Sequence, residues 1–335
     1  MTPQALLMDF WELWSGKMNS KQIVLGIDTS CYTTSVALLD LEGNLLADKR
    51  QILKVKAGGC GLAQSEMVFQ HTRNLPSLMA ELDFTGRELV AIGATNQPRP
   101  LAESYMPAFL TGFGLAQNIG HVTGAQVYPL SHQENHLQAG LWSAQGPQSK
   151  KFLMLHASGG TTDILLVTVG AEGKVTLLPV GESIDLHAGQ FVDRVGVALG
   201  LPFPAGPHLE QLAARAEKPL ELPVWVKGNQ VSFSGVCTKA TRLAATQIDK
   251  AALALGTEKV LGVALGKVLR NICVLQEVSD VILVGGVCAN KYIRQVITDL
   301  LKAEQIAVYV PDNKYSGDGA VGAAYYALQQ VRKSK

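Results

Sequence analysis

Charge is scarce in this sequence. Of 335 residues only 17% are charged, and the formal net charge is +1. No strong field draws such a chain onto nucleic acid or an anionic membrane. An RNA substrate would need a local basic patch or a helper protein. Cysteine is sparse too. Cys31, Cys60, Cys237, Cys273 and Cys288 are odd in number, and no close pair has metal-site spacing. They read as reduced thiols in a cytoplasmic protein. Long apolar runs are missing as well. Ala5 to Trp14 is too short to span a bilayer, carries acids where a signal peptide has a basic start, and shows no cleavage pattern. Residues 1–20 are expected to form an amphipathic extension, with Met18 as the natural start. No membrane association is expected. What is abundant is apolar character, at 47% of residues. A chain of this length and composition has large buried cores, in two domains or one bilobal unit.

The strand pattern is duplicated. Ile23–Ser30 is a buried strand running into a polar turn, Thr34–Asp40 a second strand, and Glu42-Gly43-Asn44 a hairpin turn. Phe152–Ala157, the turn Ser158-Gly159-Gly160-Thr161-Thr162 and the strand Asp163–Val169 repeat the arrangement. A repeat of this size implies two similar lobes. Val281–Val284 then leads into Gly285-Gly286-Val287-Cys288-Ala289-Asn290. A buried strand ending in two glycines before a helix recurs in nucleotide-binding α/β proteins. Each such glycine turn, taken alone, is more often plain structure, and three in this order shift the balance. Helices are predicted at Glu66–Leu82, Met106–Ile119, Phe191–Leu199, Lys239–Leu255 with Gly256 as its stop, Thr257–Leu275 and Ala320–Arg332. Gln145–Lys150 reads as the flexible joint between lobes.

Ser131-His132-Gln133-Glu134-Asn135-His136 is the stretch with the clearest chemistry. On a helix, His132 and His136 share one face, one turn apart, and such a pair can hold one metal ion. A third ligand, a carboxylate, would have to come from elsewhere. The alternative is a hydrogen-bonded or solvated histidine pair. The spacing differs from the zinc-protease pattern, because Glu134 stands two places after the first histidine.

The motif order resembles the actin, sugar kinase and heat-shock ATPase superfamily and, within it, the TsaD family. The stretches that carry the resemblance are Gly26–Cys31, Ser131–His136, Ala157–Gly160, Gly181–Asp185, Phe203–Pro207, Ser232–Gly235, Gly285–Asn290 and Gly317–Ala320. The resemblance implies a two-lobed α/β fold with a nucleotide cleft between lobes. The lobes are expected at 21–130 plus 319–335 and at 131–318. It implies transfer of a threonylcarbamoyl group from threonylcarbamoyl-adenylate to an adenosine of tRNA beside the anticodon. His132, His136 and Asp318 match the family's ligands for one divalent metal ion, iron or zinc. His156, Ala157, Ser158, Gly159, Gly160 and Thr161 match the loop that holds the phosphate. Asp193 matches a ribose-binding carboxylate, Gly206 a backbone contact beside it, and Asn290 a contact to adenosine. Asp28 and Ser30 are assigned to catalysis. The implied ligands are an adenine nucleotide, as threonylcarbamoyl-adenylate or ATP, and tRNA. TsaB- and TsaE-like helper proteins are the implied partners, with a homodimer left open.

Several positions depart from the family pattern. An Asp-Glu pair after Cys31 is replaced by Tyr32-Thr33, a Gly-Pro-Gly loop by Gln97-Pro98-Arg99-Pro100, a glutamate by Asp28, and a histidine by Thr161. They read either as drift in a tRNA-modifying enzyme or as a paralogue with another acceptor. A metallopeptidase would need Glu134 as general base, and a non-catalytic TsaB-like partner would not need the histidine pair.

Overall fold

The computed structural model describes residues 21–30, 32–55, 62–171 and 174–334. The expected extension at 1–20, Cys31 and Cys60 lie outside the described residues. The first sheet contains Lys21–Asp28 (β1), Thr33–Asp40 (β2), Leu45–Ile52 (β3), Arg87–Gln97 (β4) and Gln126–Ser131 (β5), in the order β3-β2-β1-β4-β5. The second contains Lys151–Ala157 (β6), Thr162–Val169 (β7), Val175–Ser183 (β8), Trp225–Lys227 (β9), Gln230–Ser232 (β10), Asp280–Val284 (β11) and Ala307–Tyr309 (β12). Its order is β12-β11-β6-β7-β8-β10-β9. In each sheet the leading strand, β1 or β6, opens an antiparallel three-stranded meander, and two strands parallel to it continue on its other side. The duplication read from the sequence is thus a duplication of topology, with β9 and β10 added at one edge.

The leading strands are covered on both faces. Ile23, Leu25 and Ile27 of β1 lie in a core with Leu75 and Leu78 of the helix Gln64–Ala80 and Ala116 of the helix Ala108–Thr123. Val24 on the opposite face meets Ala320, Ala324 and Leu328. Continuous apolar runs such as Ile23–Leu25 follow from this two-sided burial. In the second sheet, Leu153 and Leu155 face the helices Ala188–Ala198 and Lys250–Gln276. Phe152, Met154, Ile282 and Val284 face Leu137 of the helix His132–Ala144.

Two helices therefore lie back to back between the sheets: His132–Ala144 on the second and Val321–Lys333 on the first. Small residues make this possible. A side chain at Gly322 would meet the backbone oxygen of Asn135, and one at Gly26 the backbone of Ala320. The contact brings β1, the start of the His132–Ala144 helix and the segment before Val321 to one place.

One expectation fails. Gly256 does not stop a helix; Lys250–Gln276 runs through it without a break. The boundary lies earlier, between Ser234–Ala244 and Asp249, whose side chain caps the long helix through Ala251 N and Ala252 N. Gly256 is small for a tertiary reason, because the Leu220 backbone presses on the position where Cβ would stand. Cys237, Cys273 and Cys288 are buried free thiols. Among the described residues no helix is long and apolar enough to cross a membrane.

Candidate metal and nucleotide site

The His132–Ala144 helix starts on a capping box. Ser131 Oγ accepts from Glu134 N, and Glu134 Oε2 accepts from Ser131 N at 2.7 Å. This satisfies orphan donors of the first turn. It also engages Glu134 away from the histidine face, so the one general base that a peptidase reading requires is committed to the cap.

The cap sets His132 and His136 one turn apart, with their Nε2 atoms 3.1 Å from each other. Asp318 Oδ1, from the segment before the Val321–Lys333 helix, lies 3.4 Å from both. Ligands about 2.0–2.1 Å from a tetrahedral ion are separated by about 3.3–3.4 Å. Two imidazole nitrogens and one carboxylate oxygen at these separations fit one divalent ion, with further positions open to substrate. The donor set suits zinc or iron better than magnesium.

Electrostatics agree with a site made for positive charge. Burial opposes charge on His132, yet the carboxylates of Asp28 and Asp318 raise its pKa to about 10. Burial and the charge of His132 lower His136. Burial opposes ionisation of Asp318, but hydrogen bonds from the two histidines hold it well below the usual carboxylate range.

Asp28 and Ser30, assigned to catalysis on the resemblance, stand behind the histidine pair. Both are wholly buried. Asp28 accepts from Thr95 Oγ1 at 2.6 Å, Ser30 Oγ at 2.7 Å, Ser30 N at 3.1 Å and Asn135 Nδ2 at 3.3 Å. Its Oδ2 lies 3.6 Å from His132 Nδ1, too long for a hydrogen bond but close enough to attract an N–H there. A carboxylate behind a ligating imidazole orients the ring and raises its basicity. Asp28 thus neighbours the His132 ring, and Ser30 is one of its donors.

Two further supports leave no signal in the sequence. Arg50 is held by both carboxylate oxygens of Asp48 and donates from Nη1 to the backbone oxygen of Asp318 at 2.9 Å. Asn135 ties Asp28 to the Gly319 backbone oxygen, at 2.8 Å. Its place inside the histidine motif was visible, but its contacts were not.

The residues matched to the phosphate loop form a turn, with Ser158 N donating to Thr161 O at 2.8 Å. Positions where side chains would stand at Gly159 and Gly160 are open. The turn is packed against Gly189, whose N donates to Ser158 O, and Gly285 abuts the Ala157 backbone. His156 is separate from this turn. It lies within β6, and its ring sits 4.5 Å from that of His136. Asp193 projects from the Ala188–Ala198 helix, which touches the turn Gly286–Ala289. Its Oδ1 accepts from Ala205 N at 2.8 Å, beside Gly206. Burial raises the Asp193 pKa, partly offset by that hydrogen bond. Asn290 caps the helix Lys291–Lys302 through Ile293 N and donates to Glu258 at 2.7 Å.

The departing positions have partners of their own. Tyr32 packs on the cluster of Leu53, Met67 and Ala108. Arg99 Nη2 lies 3.0 Å from Asp163 Oδ2, which also accepts from Gln133 Nε2 at 2.8 Å.

Comparison with known proteins identifies the family. The family described as TsaD, tRNA N6-adenosine threonylcarbamoyltransferase, matches residues 62–325. A tRNA N6-adenosine threonylcarbamoyltransferase of Thermus thermophilus is 32% identical over 325 residues, covering 92% of this chain and 93% of its own. A probable bifunctional tRNA threonylcarbamoyladenosine biosynthesis protein of Thermoplasma acidophilum is 25% identical over 312 residues. This chain spans 56% of the length of that bifunctional relative. Among solved structures, full-length HypF superposes with a TM-score of 0.58 at 11% identity, over 93% of this chain and 56% of that one. A ROK family glucokinase from Streptomyces griseus gives 0.54 at 14% identity, over 92% of this chain and 99% of that one. These likenesses show the two-lobed α/β fold of the sugar kinase and ATPase class. With the matched span covering most of the described residues, the chain belongs to the TsaD family of tRNA N6-adenosine threonylcarbamoyltransferases.

Proposed function

We propose that this chain transfers a threonylcarbamoyl group from threonylcarbamoyl-adenylate to adenosine in tRNA. The observation that carries the reading is the convergence of His132, His136 and Asp318 at tetrahedral ligand separations. A bound zinc or iron ion supplies Lewis-acid polarisation of the carbamoyl carbonyl. The chain's own residues do the rest. Asp28 holds His132 in place, and Arg50 holds the Asp318 backbone. Gly159 and Gly160 leave room for a phosphate to reach backbone N–H groups. Asp193 keeps Oδ2 for a ribose hydroxyl, since Ala205 engages only Oδ1. Gly206, whose Cβ position is open, lets the sugar approach the backbone there. Asn290 Nδ2, which spends one hydrogen on Glu258, has a second for the base. The attacking adenosine amine forms the new C–N bond as the adenylate leaves with the electron pair of the broken C–O bond, and the proton lost from the amine passes to solvent. The lobes are 21–130 plus 319–335 and 131–318. The setting is cytoplasmic, with TsaB- and TsaE-like helper proteins.

A second reading keeps the donor and changes the acceptor. It is supported by the Arg99–Asp163 pair, which borders a cavity of about 290 Å³ with Glu182 and Asn229. Incubation with threonylcarbamoyl-adenylate, unmodified tRNA and helper proteins, read by nucleoside mass spectrometry, tests both. Threonylcarbamoyladenosine is expected with the wild type and lost with its metal in His132→Ala, by elemental analysis. Consumption of donor without tRNA modification would select the second reading. Equal metal content in wild type and His132→Ala would overturn the site.

A further inference from the structure

The His132–Ala144 helix has two polar faces. Glu134 and Gln138 stand two positions after His132 and His136, so they point to the opposite side of the same helix. A cavity of about 610 Å³ opens there, and both residues line it. Its second wall is the Val321–Lys333 helix, through Tyr326, Gln330 and Lys333, at spacings that share one helical face. Lys174, just before β8, stands on the third. The volume lies within the range of small-molecule pockets, about 300–1,000 Å³. The residues proposed to hold the ion, phosphate, ribose and base are all absent from its lining.

The metal helix presents unspent acceptors to this cavity. Gln138 is 2% exposed, and its Oε1 has no hydrogen-bond partner among the described residues. A buried amide oxygen in that state is unfavourable until a donor arrives. Glu134 supplies a second acceptor on the same wall. The capping box engages only its Oε2, from Ser131 N and Ser131 Oγ, both at 2.7 Å, and leaves Oε1 over. The charge of Glu134 reaches the facing helix. Burial raises the Tyr326 pKa, and Glu134, with Tyr128, raises it further.

Charge is segregated between the walls. Acceptors stand on the metal helix, and the ammonium groups of Lys174 and Lys333 stand on the other two walls. Among the described lining residues only Val175 is apolar, so an uncharged apolar molecule has little to hold it. A simple anion would meet the charge of Glu134 and leave Gln138 Oε1 unsatisfied. A simple cation would meet the lysines. A ligand with a cationic donor at one end and an anion at the other satisfies both sides. We propose that this cavity binds a free amino acid as its zwitterion. The α-ammonium donates to Glu134 and Gln138, and the α-carboxylate accepts from Lys174. The ligand thereby touches the carboxylate that caps the first turn of the metal helix.

Thermal melting of the full chain with each proteinogenic amino acid in turn tests the class. At least one should raise the midpoint and bind to a single site per chain in calorimetry. Its N-acetyl and α-amide derivatives each lack one of the two charges and should bind at least about tenfold more weakly. Gln138→Leu and Lys174→Ala should each weaken binding about tenfold or more. Ligand-free Gln138→Leu should melt no lower than wild type, because an unpaired buried polar group gives way to an apolar one of similar size. Lys174 is exposed, so its loss leaves the fold intact. Binding should persist in metal-free wild type. No shift with any amino acid would mean that the cavity holds water alone, and would overturn the proposal. So would equal binding of the derivatives, unchanged affinity in either variant, or loss of binding with the metal. Inorganic phosphate stabilising the chain through Gln138 and Lys174, where amino acids do not, would make this an anion site and overturn the zwitterion. In each case the His132, His136 and Asp318 site would stand.

Discussion

Glu258 makes the protein's stability depend on pH in a way that a single substitution exposes. It lies on the long Lys250–Gln276 helix, is 1% exposed, and accepts a 2.7 Å hydrogen bond from Asn290 Nδ2. Burial raises its pKa from 4.5 to about 7; the Asn290 bond opposes the shift and the charge of Glu210 adds to it. A carboxyl shifted upward stabilises the fold fully below its unfolded pKa. Between about pH 4.5 and 7 the unfolded chain ionises while the folded one stays neutral, so stability falls by about 1.4 kcal/mol per pH unit. Above the folded pKa the loss levels off at a ceiling of about 3 kcal/mol. Glu258→Gln keeps an acceptor for Asn290 and removes the charge. In urea unfolding of ligand-free protein, the variant should exceed wild type by about 1–3 kcal/mol at pH 8 and by less than about 1 kcal/mol at pH 5. An equal difference at both pH values would refute the reasoning, since a packing effect carries no proton.

Asp28→Asn should weaken metal binding about 10–100-fold, because the amide cannot attract the His132 ring as a carboxylate does and must turn its NH₂ toward the donors of Ser30, Thr95 or Asn135; a chelator competition measures it, and unchanged affinity would remove Asp28 from the site. Gly322→Ala should destabilise the protein by about 1–3 kcal/mol, since the added Cβ meets the Asn135 backbone and forces the two central helices apart. Thermal melting tests this, and an unchanged midpoint would show that the helix pair tolerates a wider spacing.

Much of the site was legible because it is local. His132 and His136 sit on one helical turn, and a capping box fixes where that turn begins, so the pair can be read from spacing alone. Asp318 is 182 residues beyond His136 and reaches it only through the close contact of Gly322 with Asn135. No periodicity carries that information; only the match to a family supplied it. Gly256 shows the opposite failure. Glycine punctuates helices by local propensity, but here the residue is small because Leu220 passes across a continuous helix. Arg50 was silent for a similar reason, since its partner is a backbone oxygen and leaves no mark on residue type. The duplicated strand pattern was legible, and it explains more than the fold. Strands β1 and β6 occupy equivalent places in their sheets, and their carboxyl ends meet from opposite sides of the histidine pair. One ends on Asp28 against His132, and the other carries His156, one residue before its end, against His136. Matching strand ends thus present a carboxylate to one face of the histidine pair and an imidazole to the other. A repeated fold with unlike residues at its matching ends is what makes the site one-sided, with a dry side closed by protein and an exposed side left for substrate.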